Sequence, residues 1–461
     1  MRENTIKITP FEFINILDLQ IEKQVNEHIT ARIVGTISPD NEDRYVESAA
    51  SSRNMVIAAQ DNNGAEKILF SGLVNDVSIQ YVNELRTLVV SAISYSYLMD
   101  IKKITRTYQN RKMTYEAVTD IMAKDNSDFA FLQPQYGSNA IGSMFVQYEE
   151  TNWQFAKRIA SRLNTCIVSD YMLDMPYVSI GMPSRDSESS IYPVEYSIKK
   201  DVSEYLDLKA HKVRDMTERN AMYYEVKSRE IFELCDMVMF KDRQLYVYSI
   251  SSRLDGAVIL HTYTLKEKEG FCFKEFFNEK IIGASLYGTV RAIENDVVQV
   301  NIDNDVRQSK YKWFLYSTVY SSPDGTGWYF MPEEGDTIRL HFPTEHENDS
   351  YVISSVHQQH ANRSDPDIKH ITTKYGKTVV FRPDSIYISN GAGSSIELND
   401  KNGIRVNTSK EINISAAKNI NVHGSSKVIV QGDKGVTVLQ NGSQIHIDEN
   451  IDLASGHVRI R

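Results

Sequence analysis

The segment HQQH, residues 357–360, holds two imidazoles three positions apart, a spacing that grips a divalent metal when both rings share one face of a helix. Here it follows an alternating apolar run and leads into a loop containing Pro366, without the glutamate of an HExxH motif, so solvated loop histidines are expected. Cys166, Cys235 and Cys272 lack CxxC spacing and cannot all pair within one chain, which points to reduced, mostly buried thiols. Paired carboxylates could hydrolyse a glycan, but Glu397, Asp400, Glu411 and Asp433 fall in separate repeats, mostly at exposed or turn positions. Trp313, Tyr316, Trp328, Tyr329 and Phe330 could stack on nucleic-acid bases. Their surroundings, residues 288–356, hold five basic side chains against eleven acidic ones, which opposes the counterion release that such binding needs. No catalytic residue, metal site or cofactor is expected.

A chain of 461 residues is too long for one ordinary core, so three or more domains are expected. The formal charge of −10 disfavours nonspecific attraction to nucleic acid or an anionic membrane and directs attention to protein partners. The N-terminal residues lack the apolar core of a signal peptide, and no run approaches the ~20 apolar residues that span a bilayer. Synthesis in the cytoplasm is expected, with any export carried out by other components.

From the start to about residue 98, alternating segments such as KILFSGLVNDVSIQYV and RTLVVSAISYSYLM, separated by turns such as DNNG, predict antiparallel sheet as a barrel or sandwich. MTYEAVTDIMA places Ala117, Val118, Ile121 and Met122 on one helical face, and TNWQFAKRIASRL places Phe155, Ile159 and Leu163 at i, i+4 and i+8. Thr151 and Gln154 can form a capping box at the start of the second helix. Strand patterns return over residues 233–265, where YVYSI and VILHTYTL flank the turn LDGA. From Gly288, the runs GTVRAIENDVVQVNI, KWFLYS, GWYFM, DTIRLHF and SYVISSV predict five short strands in a small barrel of the OB type.

Beyond a polar connector, apolar residues come in pairs two positions apart. They are Ile386 and Ile388, Ile396 and Leu398, Ile404 and Val406, Ile412 and Ile414, Ile420 and Val422, Val428 and Val430, Val436 and Val438, Ile445 and Ile447, Ile451 and Leu453, and Val458 and Ile460. From Ile396 to Val436 the interval is eight. Spacing of two puts both side chains on one face of a strand, and the Gly, Asn, Ser, Asp and Lys between them suit turns. Eight residues cannot fold back to cover such a strand. Single-chain β-helices use longer coils, and the GGxGxD repeat of the calcium-binding type is absent. The simplest solution is three identical chains, each supplying one wall of a prism with mutually paired strand edges. The pairs from Ile396 to Ile447 are its expected core.

In order along the chain, RTYQNRKMTYEAVTDIM, QYEETNWQFAKRIASRLNTCIV, FELCDMVMFKDRQLYVYSI, SRLDGAVILHTYTL, GTVRAIENDVVQVNI and MPEEGDTIRLHFP precede the octads. This series resembles the VgrG family, the spike proteins of contractile injection systems such as type VI secretion and phage-tail-like particles, equivalent to a fused hub and needle of a contractile phage tail. The resemblance covers nearly the whole chain and implies a mainly β fold with a small α+β portion. It implies a first hub β-barrel region at 1–100, an α+β hub region at 101–200, a second hub β-barrel region at 201–280 and an OB-fold barrel at 281–358. A connector at 359–377 and a trimeric β-helix, or β-prism, at 378–461 complete it.

What the resemblance implies is a homotrimer without enzymatic activity. Its hub would seat on the inner tube ring and baseplate proteins, and its needle would pierce a target envelope on sheath contraction, delivered outside the cell or into a target cell. Some relatives carry a lysozyme domain, which a connector of about 20 residues is too short to fold. Several related phage spikes gather an axial metal with a His-x-His tip. Here His446 and His457 stand singly and alternation turns both outward, so a separate PAAR-like cap meeting Val458, Ile460 and Arg461 fits better. Effectors are further partners that the resemblance allows. The alternatives are a trimeric β-helical adhesin and a carbohydrate-active β-helix protein; a folded hub ahead of the needle separates a spike from both.

Overall fold

The computed structural model describes the chain except residues 1–5, 42–44, 46–53, 61–63, 83, 126–128, 133–135, 173, 186–187, 214–216, 257, 307–310, 358–359, 361–362, 450, 455–456 and 458–461. It divides into two units, residues 1–357 and 358–461, both mainly β.

In the first unit, the alternating segments near the N-terminus and those around residues 222–266 join in one twelve-stranded sheet. Ile6–Thr9, Asn54–Gln60, Glu66–Val82, Leu85–Ile93, Thr30–Thr36 and Asn15–Gln24 follow one another across it. Asn15–Gln24 then pairs antiparallel with Arg243–Asp255, with Ser249 opposite Gln24 and Arg253 opposite Gln20. Val258–Lys266, Met222–Ser228 and Glu195–Lys200 continue the path, which stays open at both ends among the described residues.

Side chains alternate across each strand, so each half of the sheet turns one face to a core of its own. Leu19, Ile21, Ile33, Met55, Ile57, Phe70, Leu88 and Val90 fill the first. Val226, Val238, Leu245, Val247, Tyr263, Leu265 and Phe271 fill the second. Lys23, almost fully buried, ties the halves by donating to the Tyr171 hydroxyl at 2.7 Å and to Glu233 Oε2 at 3.0 Å. An ammonium so placed needs such partners to offset its lost hydration.

The run RTLVVSAISYSYLM ends as a strand at Ile93 and turns into a short 3-10 helix, Tyr95–Asp100. Ser94 causes the change: its hydroxyl accepts from the Ile29 amide at 3.0 Å and its carbonyl from the Tyr97 amide at 3.0 Å, bonds that compete with a ladder. The two expected helices form at Tyr115–Ala123 and Asn152–Arg162, the second with both arms of the Thr151–Gln154 capping box. Val118, Met122, Phe155 and Ile159 pack with Tyr108 and Phe145 in a third core. A further helix, Val202–Ala210, buries only Leu208 and has no apolar period to announce it.

Ser285–Glu294, Val297–Ile302, Trp313–Leu315, Thr337–His341 and Tyr351–Ser355 form a five-stranded sheet in the order third, second, first, fourth, fifth. A parallel bridge from Tyr316 to Val352 and a 2.7 Å bond from the Ser317 amide to the Val352 carbonyl join third to fifth. This is OB connectivity around Val290, Val298, Val300, Phe314, Ile338, Leu340 and Val352. The first expected run supplies two strands, whereas GWYFM lies in a hairpin within the loop between third and fourth.

In the second unit, Lys369–Thr372, Thr378–Arg382, Ser385–Ser389, Ser394–Asn399 and Gly403–Thr408 form an antiparallel meander. Val436–Gln440, Ser443–Ile447 and Ile451–Ala454 form another. Between them, residues 409–435 make no ladder with the described residues of their own chain.

Candidate functional site

Register gathers the octad pairs into rows. Phe381, Ile386, Leu398 and Ile404 stand opposite one another in succession across four strands, and Val379, Ile388, Ile396 and Val406 form a second row beside them. Tyr387, Glu397 and Arg405 occupy the opposite face. The terminal meander repeats the pattern, aligning Val436 with Ile447 and Val438 with Ile445. Among the described residues these rows lack cover: Ile404 is 73% exposed, Ile388 43% and Val438 56%. Ile412, Ile414, Ile420, Val422, Val428 and Val430 belong to neither ladder and are also exposed.

Expected core residues therefore fall in three groups, two of them on sheets that the chain pairs with itself instead of with partners. Val458, Ile460 and Arg461 lie outside the described residues. His446 stands opposite Thr437, whose hydroxyl lies 2.8 Å from its Nδ1, on the face away from Ile445 and Ile447.

A second cluster joins the helix Asn152–Arg162 to the OB barrel. Buried Arg158 donates through Nε and Nη2 to both Glu150 oxygens at 3.0 and 2.8 Å, and through Nη1 to Glu347 Oε1 at 2.6 Å. Burial pushes the Glu150 carboxyl up, and the Arg158 guanidinium opposes that rise. Nearby, Gln109 Nε2 donates to the Val300 carbonyl at 3.0 Å and the Thr107 hydroxyl to Asp305 Oδ1 at 2.5 Å. Burial raises the Asp305 carboxyl to about 6, despite hydrogen bonds from Thr107 and Gln109. Sequence reasoning missed this seam. Its one signal was Arg158 standing beside Phe155 and Ile159 on an otherwise apolar helical stripe.

Chemistry elsewhere is structural. Ser96 Oγ lies 2.8 Å from His28 Nδ1, and His28 Nε2 lies 3.5 Å from Asp100 Oδ2, residue types that elsewhere make a nucleophile. Ser96 is wholly buried and also bonded to Ser94, and His28 stacks on Trp153 at 4.0 Å, so the trio braces the 3-10 helix. Cys166 and Cys235 are buried and Cys272 is half-buried, and none of the three is joined in a disulfide. Among the described residues no three His, Cys, Asp or Glu side chains are placed to share a metal, and no helix is long and apolar enough to cross a membrane.

No protein-family model matches the sequence, and no curated protein matches it. Solved structures do. An E. coli protein, c3393, described as a type VI secretion component with structural similarity to the T4 phage tail proteins gp27 and gp5, superposes with a TM-score of 0.50 at 12% identity, over 77% of this chain and 100% of its own. A chain of the Francisella PdpA–VgrG complex in its half-lidded form gives 0.55 at 11% identity, over 88% and 87%. The fold is that of the VgrG-like spikes. The lidless form of the same complex gives 0.52 at 11% identity, over 85% and 93%. With so few identical residues, the VgrG-like likeness lies in architecture.

Proposed function

We propose that this VgrG-like chain is the structural hub and spike of a contractile injection machine and acts as a homotrimer, with no catalytic step of its own. The hub comprises barrel regions 1–100 and 201–280 with the α+β region 101–200, followed by the OB barrel at 281–358, the connector at 359–377 and the needle at 378–461. The observation that carries this reading is the pair of bare apolar rows, Phe381 to Ile404 and Val379 to Val406, on one face of a sheet. Monomeric soluble proteins rarely leave such continuous apolar patches uncovered. Three walls placed around an axis cover them mutually, each buried Ile, Leu or Val contributing about 1.5–3 kcal/mol. Residues 409–435 find in neighbouring chains the ladder partners that their own chain withholds.

The hub meets the inner tube ring and baseplate proteins. The tip, at Val458, Ile460 and Arg461, receives a PAAR-like cap, and effectors ride with the spike. The assembled particle is delivered outside the cell or into a target cell, where sheath contraction drives the needle through the envelope. Rigidity, rather than turnover, is the working property.

Native mass of the full chain by light scattering, over a concentration series, tests the central point. A trimer, about 158 kDa from protomers of 52.7 kDa, is expected. A persistent monomer whose octad region resists protease would overturn it.

A further inference from the structure

The OB barrel carries two unexplained surfaces at the two ends of its Val297–Ile302 and Trp313–Leu315 strand pair. At the end where Val297 faces Leu315, the loop beyond rises as a small hairpin. Ser321 bridges Gly327, the Trp328 amide donates to the Tyr320 carbonyl at 2.8 Å, and the Ser322 amide donates to the Thr326 carbonyl at 2.8 Å. Gly327, at φ 138°, is required, since a Cβ there would meet the Tyr320 carbonyl oxygen at 2.4 Å. This ordered hairpin displays Tyr320, Trp328, Tyr329 and Phe330, each more than half exposed, with Asp324 at its turn and Glu333 and Glu334 behind. Rigid aromatics presented with little conformational entropy to lose are what binding surfaces use as anchors.

At the other end, where Gln299 faces Trp313, lies a groove of about 750 Å³. Its lining sets Arg111, Lys112 and Lys312 beside Tyr311 and Trp313. It brings three cations together on a chain whose formal charge is −10. The acidic aromatic hairpin and the basic aromatic groove complement one another in charge. They lie at opposite ends of the same strand pair, and their complementary charge makes a second copy the occupant that each fits.

We propose that the hairpin of one protomer docks in the groove of the next, Asp324 meeting Arg111, Lys112 and Lys312 while Trp328 and Phe330 pack on Tyr311 and Trp313. A contact between two different surfaces of the same chain is head-to-tail, and it closes at three copies if the rotation is 120°. The inference thus rests on the trimer proposed above and adds a collar at the barrel level, independent of the needle. It also gives the exposed tryptophans work that nucleic-acid binding does not.

Two full-length variants with different affinity tags, Asp324→Cys and Lys112→Cys, are co-expressed, purified through both tags and treated with a short bis-maleimide. A band of two protomers carrying both tags is expected, absent from either variant alone and from the wild-type chain. Its loss is expected in 1 M salt if treatment precedes docking, because exposed ion pairs are screened. If light scattering shows trimers but no mixed band forms, the collar is wrong and the trimer stands. If Asp324→Cys and Lys112→Cys in one chain link only within that chain, the collar is also wrong. A monomer overturns both readings. As a folding control, Asp324→Lys with Lys112→Glu should restore the collar contact that either reversal alone weakens at least tenfold, read at low salt as binding between separately tagged chains carrying Ile404→Asp.

Discussion

Arg158 and Glu347 are 189 positions apart in the chain and 2.6 Å apart in space, forming a buried ion pair between the helix Asn152–Arg162 and the segment leading into the strand Tyr351–Ser355. With Glu150 on its other side, the single guanidinium is shared between two buried carboxylates. The seam is an internal joint, built so that the barrel cannot shift without uncovering charge.

Arg158→Ala therefore strands two buried carboxylates, and unfolding free energy in denaturant should fall by about 3–5 kcal/mol. Glu347→Gln keeps a hydrogen-bond acceptor and should cost less than Arg158→Ala. Equal losses from the two would show that the pair is not what matters.

Asp305 gives the same seam a pH dependence. Its folded pKa, about 6, lies above the ordinary 3.8, so the folded state binds its proton more tightly than the unfolded chain does. The stabilisation this gives is complete below about pH 4 and disappears as pH rises through 6. Asp305→Asn removes the burial cost of the charge, so its melting temperature should exceed that of the wild type at pH 7.5, with the advantage shrinking toward pH 4.5. A difference that does not change with pH would contradict this origin.

Thiol chemistry follows burial. Cys166 is fully buried, its thiol raised well above the usual range by burial, and burial pushes Cys235 up to about 12. Titration of the native chain with a thiol reagent at pH 8 should label Cys272 alone within minutes, and all three after denaturation. Rapid labelling of Cys166 in the native state would show that the second hub core opens readily.

The needle allows a face-specific test. In a lone chain, Ile404 and Arg405 are both exposed, and aspartate at either should change stability by less than about 0.5 kcal/mol. In the proposed trimer, Ile404→Asp would place three carboxylates in one apolar layer, whereas Arg405→Asp would stay on the outer face. Light scattering over a dilution series should find Ile404→Asp dissociating at concentrations where Arg405→Asp stays trimeric; identical behaviour would contradict the inward rows.

Local patterns were legible where one chain answers them. The apolar alternation from Lys67 to Val82, the helical stripe with Phe155 and Ile159, and the Thr151–Gln154 box each carry their own signal, and the structure has each one. The run around Tyr95 was misread as strand because Ser94 spends its bonding groups locally, a competition that apolar spacing does not record. GWYFM has strand composition, yet its Trp328 amide bonds to the Tyr320 carbonyl within the hairpin, and none of its residues joins the five-stranded ladder. Arg158, Glu150 and Glu347 escaped because their partnership exists only after folding. For the needle, the pairs were plain from their interval, but which of them the chain ladders by itself, from Lys369 to Thr408 and again from Val436, was not, because all octads share one alphabet.

The unladdered stretch from 409 to 435 makes the length of the octad region countable. Its pairs Ile412 and Ile414, Ile420 and Val422, and Val428 and Val430 recur at one fixed interval. Deleting residues 417–424 would return Val428 to the place Ile420 held and leave every later pair in phase. Deleting seven or nine residues would turn all later pairs to the wrong face. Twenty-four nucleotides are thus the natural increment of the gene in this region, the step by which the octad stretch can lengthen or shorten while the pairs on either side keep their phase.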